Sequence, residues 1–367
     1  MGQSPESTSY NSDKQGVPFY QGNADFGAVY PNPRIWCNKP IKLAKENDIL
    51  ISVRAPVGAL NFSKEECCIG RGLAAITLDS NDFLLEFIYW SLRTGVKELQ
   101  SKSTGSTFKS INKKTLEEVR IPKISLKEQK DIIRNLTLLT NILAKYKHEI
   151  VFLDELVKAR FVEMFGDPLR NNMLWNTDVL KDICTKIGSG STPRGGKESY
   201  IDEGISLIRS MNVHNAYFEY KDLAHITLDQ AEKLNNVVVE HDDVLFNITG
   251  ASVARCCVVP SDVLPARVNQ HVCILRCREK INPIFLQGLL VNENYQGKLL
   301  QIAKSGATRE AINKQQLESL EIMLPPLELQ NQFATFVQEI DKSRSRIQKS
   351  LEASQELFDS LMQEYFG

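Results

Sequence analysis

The chain has 367 residues, 42% of them hydrophobic and 24% charged, with a formal net charge of -1. That composition is ordinary for folded domains and excludes a disordered polypeptide, and the length leaves room for more than one core. No apolar run approaches the roughly 18 residues that a membrane span needs, and the start MGQSPESTSY lacks the basic and apolar regions of a signal peptide, so a cytoplasmic protein with no membrane association is expected. Eight cysteines in this length make neither a disulfide scaffold nor the repeated C-x2-C of a zinc site; buried reduced thiols and no metal are expected. Residues 1–120 hold 15 basic and 13 acidic side chains, so any DNA-binding surface must be local to folded modules rather than a basic tail.

In chain order, the first hundred residues read as strand-rich. DILISVRAP at 48–56 and GLAAITL at 72–78 are short apolar runs bounded by Gly, Pro and polar turns, and helical spacing follows over 83–100. A polar phrase, KSTGSTFKSINKKTLEEVRIP, occupies 102–122. Ser125 with Glu128 then forms a capping box, and apolar residues at 132, 136, 139, 143, 146, 150, 153 and 157 alternate in steps of four and three, the seam of a coiled coil. Gly166-Asp167-Pro168 stops this helix. At about 1.5 Å per residue, roughly 40 residues make a helix of roughly 60 Å.

The order then repeats. DVLFNITG at 243–250 and VNQHVCIL at 268–275 stand where the earlier strand runs stood, helical spacing returns over 283–303, and KSGATREAINKQQLESLEIMLP at 304–325 restates the polar phrase. Gly105, Thr107, Ile111, Asn112, Lys113, Leu116, Glu117 and Ile121 recur 201 residues later, and the register holds through Gln129 with Gln330 to the FG pairs at 165–166 and 366–367. A second helical seam runs through Phe333, Val337, Ile340, Ile347, Leu351, Phe358 and Tyr365, interrupted by Arg344 and Ser354. The offset is only 188 at Gly2 and Gly190 and 195 at Asp48 and Asp243. Two domain-sized copies thus keep their helices in register while their first parts diverge, as expected of a shared scaffold carrying two different readers. The expected domains are 1–120, 121–167 (first helix), 168–322 and 323–367 (second helix). The first copy lacks a counterpart to WNTDVLKDICTKI at 175–187, so an opening element of its domain is expected to be missing.

No catalytic constellation is visible. GSGSTPRGGKES at 188–199 fails the phosphate-loop spacing at Ser191 and Glu198, the five histidines form no ligand cluster, and the nucleophile-elbow, zincin and dinucleotide motifs are missing. What remains is loops rich in side chains that contact phosphates and base edges. In the first copy the candidates are Gln3, Ser4, Arg34, Arg54, Arg71, Lys102, Thr107 and Lys109; in the second they are Ser191, Arg194, Arg209, Asn212, Asn215, Arg255, Asn269, Gln270, Lys304, Thr308 and Arg309.

GQSPESTSYN, GVPFYQGNADFG, DILISVRAPVGALN, CIGRGLAAI, FVEMFGDP and GSGSTPRGG in one chain, with the doubled G-x-T…IN…L…I, resemble the specificity subunit of a type I restriction-modification system over essentially the whole length. The resemblance implies an α+β protein: two target-recognition domains of mixed structure, an internal pseudo-two-fold repeat, and two long conserved helices forming an antiparallel coiled coil. It implies that each domain reads one half of a split site in double-stranded DNA. It also implies two modification subunits that bind S-adenosylmethionine, and motor-nuclease restriction subunits that use ATP and Mg, with no cofactor in this chain. Two other readings share part of the pattern: the recognition subunit of a combined restriction-methylation enzyme, and a coiled-coil protein scaffold without DNA.

Overall fold

The computed structural model describes residues 1–101, 103, 110–192, 195–305 and 310–367, Lys197 without its side chain. It mixes helices and strands, in two compact units: Met1–Lys147 with Lys349–Gly367, and His148–Gln348. Each unit contains one strand-rich copy and half of each long helix.

In the first unit, Ile49–Ser52 is the central strand of a three-stranded antiparallel sheet, between Leu60–Phe62 and Leu73–Ile76, and all four of its residues are buried. A five-stranded sheet adjoins it, in which Val17–Tyr20 runs parallel to Cys67–Ile69. The second unit repeats both ideas. Val244–Asn247 lies between Val272–Cys277 and Cys256–Val258, and Ile205–Ile208 runs parallel to Ala266–Val268. The turn before each central strand is the same device: Asn47 and Asp242 both take φ +66°, and the next carboxylate folds back, Asp48 accepting from the Lys45 amide at 2.8 Å and Asp243 from Glu240 at 2.7 Å. A positive φ suits Asn and Asp because their short side chains tolerate the left-handed region.

The continuous run at 268–275 is instead two strands, Ala266–Val268 and Val272–Cys277, separated at Asn269–His271. Each expected single helix after the sheet is two: Leu85–Thr94 and Val96–Ser101, parting at Gly95, and Pro283–Leu290 and Glu293–Lys304. In the second case Asn292 is extended and its side chain accepts from the Asn294 amide at 3.1 Å, so it ends one helix and caps another.

Leu126–Phe165 and Leu327–Phe366 are continuous helices of 40 residues each. The first opens on the expected capping box, with the Ser125 amide donating to Glu128 at 2.9 Å and the Glu128 amide to Ser125 Oγ at 3.3 Å. It closes at Gly166, whose φ of +77° only glycine adopts freely. The seam faces inward: Ile132, Leu136, Leu139 and Leu143 are buried in the first unit with Phe358, Met362 and Trp90. In the second unit Phe161 and Phe165 pack on Phe333 and Phe285. The beginning of each helix therefore meets the end of the other, the signature of antiparallel pairing. Arg344, polar in the seam, is matched by Asp154 across the pair and Asp341 on its own helix.

Gln129 and Gln330, one turn into the two long helices, have no exposure. Gln129 accepts from the Leu84 amide at 2.8 Å and donates to Asp82 O and Ile124 O; Gln330 accepts from the Asn282 amide at 2.9 Å and donates to Pro325 O at 2.8 Å and Lys280 O at 3.4 Å. Each glutamine thereby joins the start of its long helix to the start of the helix that follows its sheet. Gln330→Ala should lower stability by about 2 kcal/mol, because it strands a buried amide donor. A urea titration monitored by circular dichroism checks this, with the solvated Lys349→Ala unchanged.

Candidate nucleic-acid interface

The repeated Ile-Asn explains itself once the backbone is followed. In the first unit Val53 N donates to Gly72 O at 2.9 Å, and Val53 O accepts from Ile111 N at 3.0 Å. In the second, Ile248 N donates to His271 O at 2.9 Å, and Ile248 O accepts from Ile312 N at 2.9 Å. Ile111 and Ile312 are buried, and the next residues, Asn112 and Asn313, cap short helices by accepting from Thr115 N and Gln316 N, each at 2.9 Å. Three segments thus meet at one residue in each unit: the end of the central strand, the loop after the parallel strand, and the repeated phrase. Surface clefts open at this junction in both.

In the first unit the cleft holds about 370 Å³ and brings together Ser4, Arg34, Arg54 and Arg71, four of the expected residues, with Gln21 and Asn23. Tight backbone packing shapes it: a Cβ on Gly72 would stand 2.3 Å from Gln21 O, and one on Gly2 2.3 Å from Gly70 O. Ser4 Oγ accepts from the Arg71 amide at 3.3 Å. Buried Asp25 accepts from Gln21 N at 2.9 Å and is ion-paired to Arg34. Gln3 is exposed, held by its amide on Ile69 O.

In the second unit the cleft of about 410 Å³ is lined by Met211, Thr249, Ser252, Arg255 and His271. Thr249 Oγ1 and His271 Nδ1 share a hydrogen bond of 2.6 Å, and Gln270 Nε2 lies 3.2 Å from His271 Nε2. Arg255 reaches within 3.5 Å of His214, whose ring stacks on Tyr217. Arg209 lines a neighbouring cleft with Asp202; its guanidinium lies over the Tyr200 ring at 5.4 Å and donates to Asp222 O.

Two expected contacts have structural roles here. Asn212 is fully buried, accepting from Arg209 N and donating to Glu219 O, which folds the hairpin Val213–Phe218. Asn269 is buried with its Oδ1 held by the His271 amide. Ser191, Asn215 and Lys304 are exposed outside these clefts, while Lys102, Thr107, Lys109, Arg194, Thr308 and Arg309 lie outside the described residues. Sequence reasoning passed over Gln21, Thr249 and His271. A signal was available: Gln21 follows the parallel strand as Arg209 does, and Thr249 stands 195 residues after Arg54.

The profile of the family described as type I restriction modification DNA specificity domain matches residues 5–151 and 172–355. A Methanocaldococcus jannaschii protein with the provisional name type I restriction enzyme MjaX specificity subunit is 45% identical over 143 residues, which are 39% of this chain and 34% of that one. The MjaIX specificity subunit of the same organism is 23% identical over 343 residues, covering 88% of this chain and 77% of that one. Among solved structures, the type I restriction-modification S subunit from M. genitalium superposes with a TM-score of 0.62 at 16% identity, over 100% of this chain and 92% of that one.

The cysteines stand apart from the clefts. All eight are free and seven are buried. Burial pushes the Cys67 and Cys68 thiols up to about 11, and those of Cys184, Cys257 and Cys273 up to about 12. A thiol whose pKa is raised by folding stabilises the fold fully below its unfolded value near 9, and this is lost as pH rises toward 11 to 12. At pH 8 the native chain should therefore react with a thiol reagent at no more than one site, and the denatured chain at eight. Time-resolved labelling with mass detection checks this.

Proposed function

Because the chain belongs to the type I restriction-modification DNA specificity family, we propose that it is the DNA-reading subunit of such a complex. Each unit reads one half of a bipartite, asymmetric site. The observation that carries this is the pair of clefts built on the same three-segment junction but lined by different side chains: Arg34, Arg54 and Arg71 in the first unit, and Thr249, Arg255 and His271, with Gln270 beside His271, in the second. A common frame with unlike linings is what an asymmetric site requires, since base edges are told apart by donor and acceptor pattern.

On this reading the chain itself is not catalytic. Two modification subunits supply S-adenosylmethionine and the methyl-transfer chemistry, restriction subunits supply the ATP- and Mg-dependent steps, and the complex works in the cytoplasm. The exposed faces of the two long helices, with Leu138, Val151, Phe152 and Leu357 each at least half exposed, offer apolar docking area to the modification subunits. A net charge of -1 is compatible with DNA binding, because the clefts act locally and the partners can neutralise further phosphates.

Exchange of residues 1–101 for those of a relative should change one half-site of the assembled complex and leave the other intact; mapping methylated adenines reads the outcome, and a change in both halves contradicts it. The paired helices are also proposed to set the gap between half-sites. One heptad added to each helix, near residues 146 and 347, preserves the seam and adds about 10 Å. Three base pairs of roughly 3.4 Å match that length but also turn the duplex by roughly 100°, so the preferred gap should widen by about one to three base pairs, with weaker binding. Methylation of substrates with graded gaps measures this; an unchanged preferred gap in an active complex contradicts it.

A further inference from the structure

Asp25 and Asn212 do the same first job in the two units. Each is a buried side chain just beyond the strand that enters the cleft, and each accepts a hydrogen bond from the backbone at the end of that strand, Gln21 N in one and Arg209 N in the other. Their second jobs differ. The Asn212 amide donates to Glu219 O and Lys221 O and so ties down a hairpin. The Asp25 carboxylate has no hydrogen to donate; its Oδ1 instead accepts from both Nε and Nη2 of Arg34.

That pairing is side-on. It occupies the Nε hydrogen and one Nη2 hydrogen, and leaves the far edge of the guanidinium, with one hydrogen on each Nη, as a free two-pronged fork. Arg34 is 65% exposed while Asp25 is 10% exposed, so the carboxylate is the buried anchor and the guanidinium is what the cleft presents. Arg54 and Arg71 line the same cleft with exposed side chains, and among the described residues neither is paired with a carboxylate. The three arginines are therefore not equivalent toward DNA. Arg54 and Arg71 carry uncompensated charge and suit phosphates. Arg34 sits against a carboxylate that offsets its charge and repels a phosphate, yet its fork is held in one orientation. Such a fork suits a neutral ligand edge with two adjacent acceptors, which in double-stranded DNA is O6 and N7 of guanine.

Resting on the DNA-reading function proposed above, we propose that Arg34 is the base-reading residue of the first unit, specific for guanine, that Asp25 is its positioning residue, and that Arg54 and Arg71 bind the backbone. In the second unit the corresponding side chain, Asn212, is an amide that bonds backbone groups.

The test uses the assembled complex with its modification subunits, on libraries randomised in either half-site, at several salt concentrations. Arg34→Lys keeps the charge and loses the fork; Asp25→Asn keeps an acceptor for Gln21 N and frees Arg34. Both should lose discrimination for guanine at one position of one half-site by roughly 5- to 150-fold while the other half-site is unchanged, and Arg34→Lys, which keeps the local charge, should leave the salt slope unchanged. Arg54→Gln and Arg71→Gln should weaken all sites alike, lowering the slope of log affinity against log salt by about 0.9 for each phosphate no longer neutralised. Thermal unfolding of each variant separates loss of reading from loss of fold; should Asp25→Asn unfold, Arg34→Lys alone decides. If Arg34→Lys keeps the base preference of the wild type, or weakens binding uniformly with a lower salt slope, the assignment is overturned. A wild-type complex without any bipartite preference would instead overturn the underlying function.

Discussion

The hydrogen bonds that converge on Val53 and Ile248 organise each unit. Both groups of that one peptide residue are engaged, the amide by the loop after the parallel strand and the carbonyl by the repeated phrase. Neither partner belongs to the same segment, so three separated stretches are fixed to one another with little freedom left. Ile111 and Ile312 close the junction by burying their side chains against it. Cleft and exit route are set together: Ser110 and Ala311 bridge to Arg54 and Thr249 at the clefts, and the chain then turns at Asn112 or Asn313 before it enters a long helix. The buried glutamines complete the path by tying the first turn of that helix back to the same copy.

This arrangement separates what must stay constant from what must vary. The backbone of the junction is common to both units and depends on main-chain groups, which any sequence supplies. The side chains at the cleft are free to differ, and they do: Thr249 stands where Arg54 does and Gln270 where Arg71 does, on backbone that makes the same junction hydrogen bonds in both units. The drift of the sequence offset from 188 to 201 is absorbed within the copies, before the helices whose pairing depends on exact register. A shift there would turn Leu136 or Phe333 out of the seam, whereas an extra residue in a turn changes only the loop.

The same division explains what was legible in sequence. Helix seams, the capping box at Ser125, the stop at Gly166 and the two-copy organisation are local or periodic patterns, and they appear where the pattern places them. The cleft was legible only as a composition of polar loop residues. Ser4, Arg34, Arg54 and Arg71 converge in one cleft, yet nothing in spacing told them from Asn212 and Asn269, whose side-chain oxygens hold backbone amides in turns. The Asp25–Arg34 pair spans nine residues of irregular chain with no period to announce it. The division of one helix into two at Asn292 was hidden because apolar spacing continues across the break, while the cap depends on a single backbone angle.

Arg71 and Gln270 occupy equivalent places, one residue before the carbonyls that anchor the two junctions. A photoreactive side chain installed at either position, in the chain assembled with its modification subunits, reports which half of a site each unit touches. Crosslinks are expected from position 71 to one half of a methylated site and from position 270 to the other half, across the unread gap. Crosslinks from both positions to the same half, or from neither to DNA that the complex still methylates, would contradict the reading of one half-site by each unit.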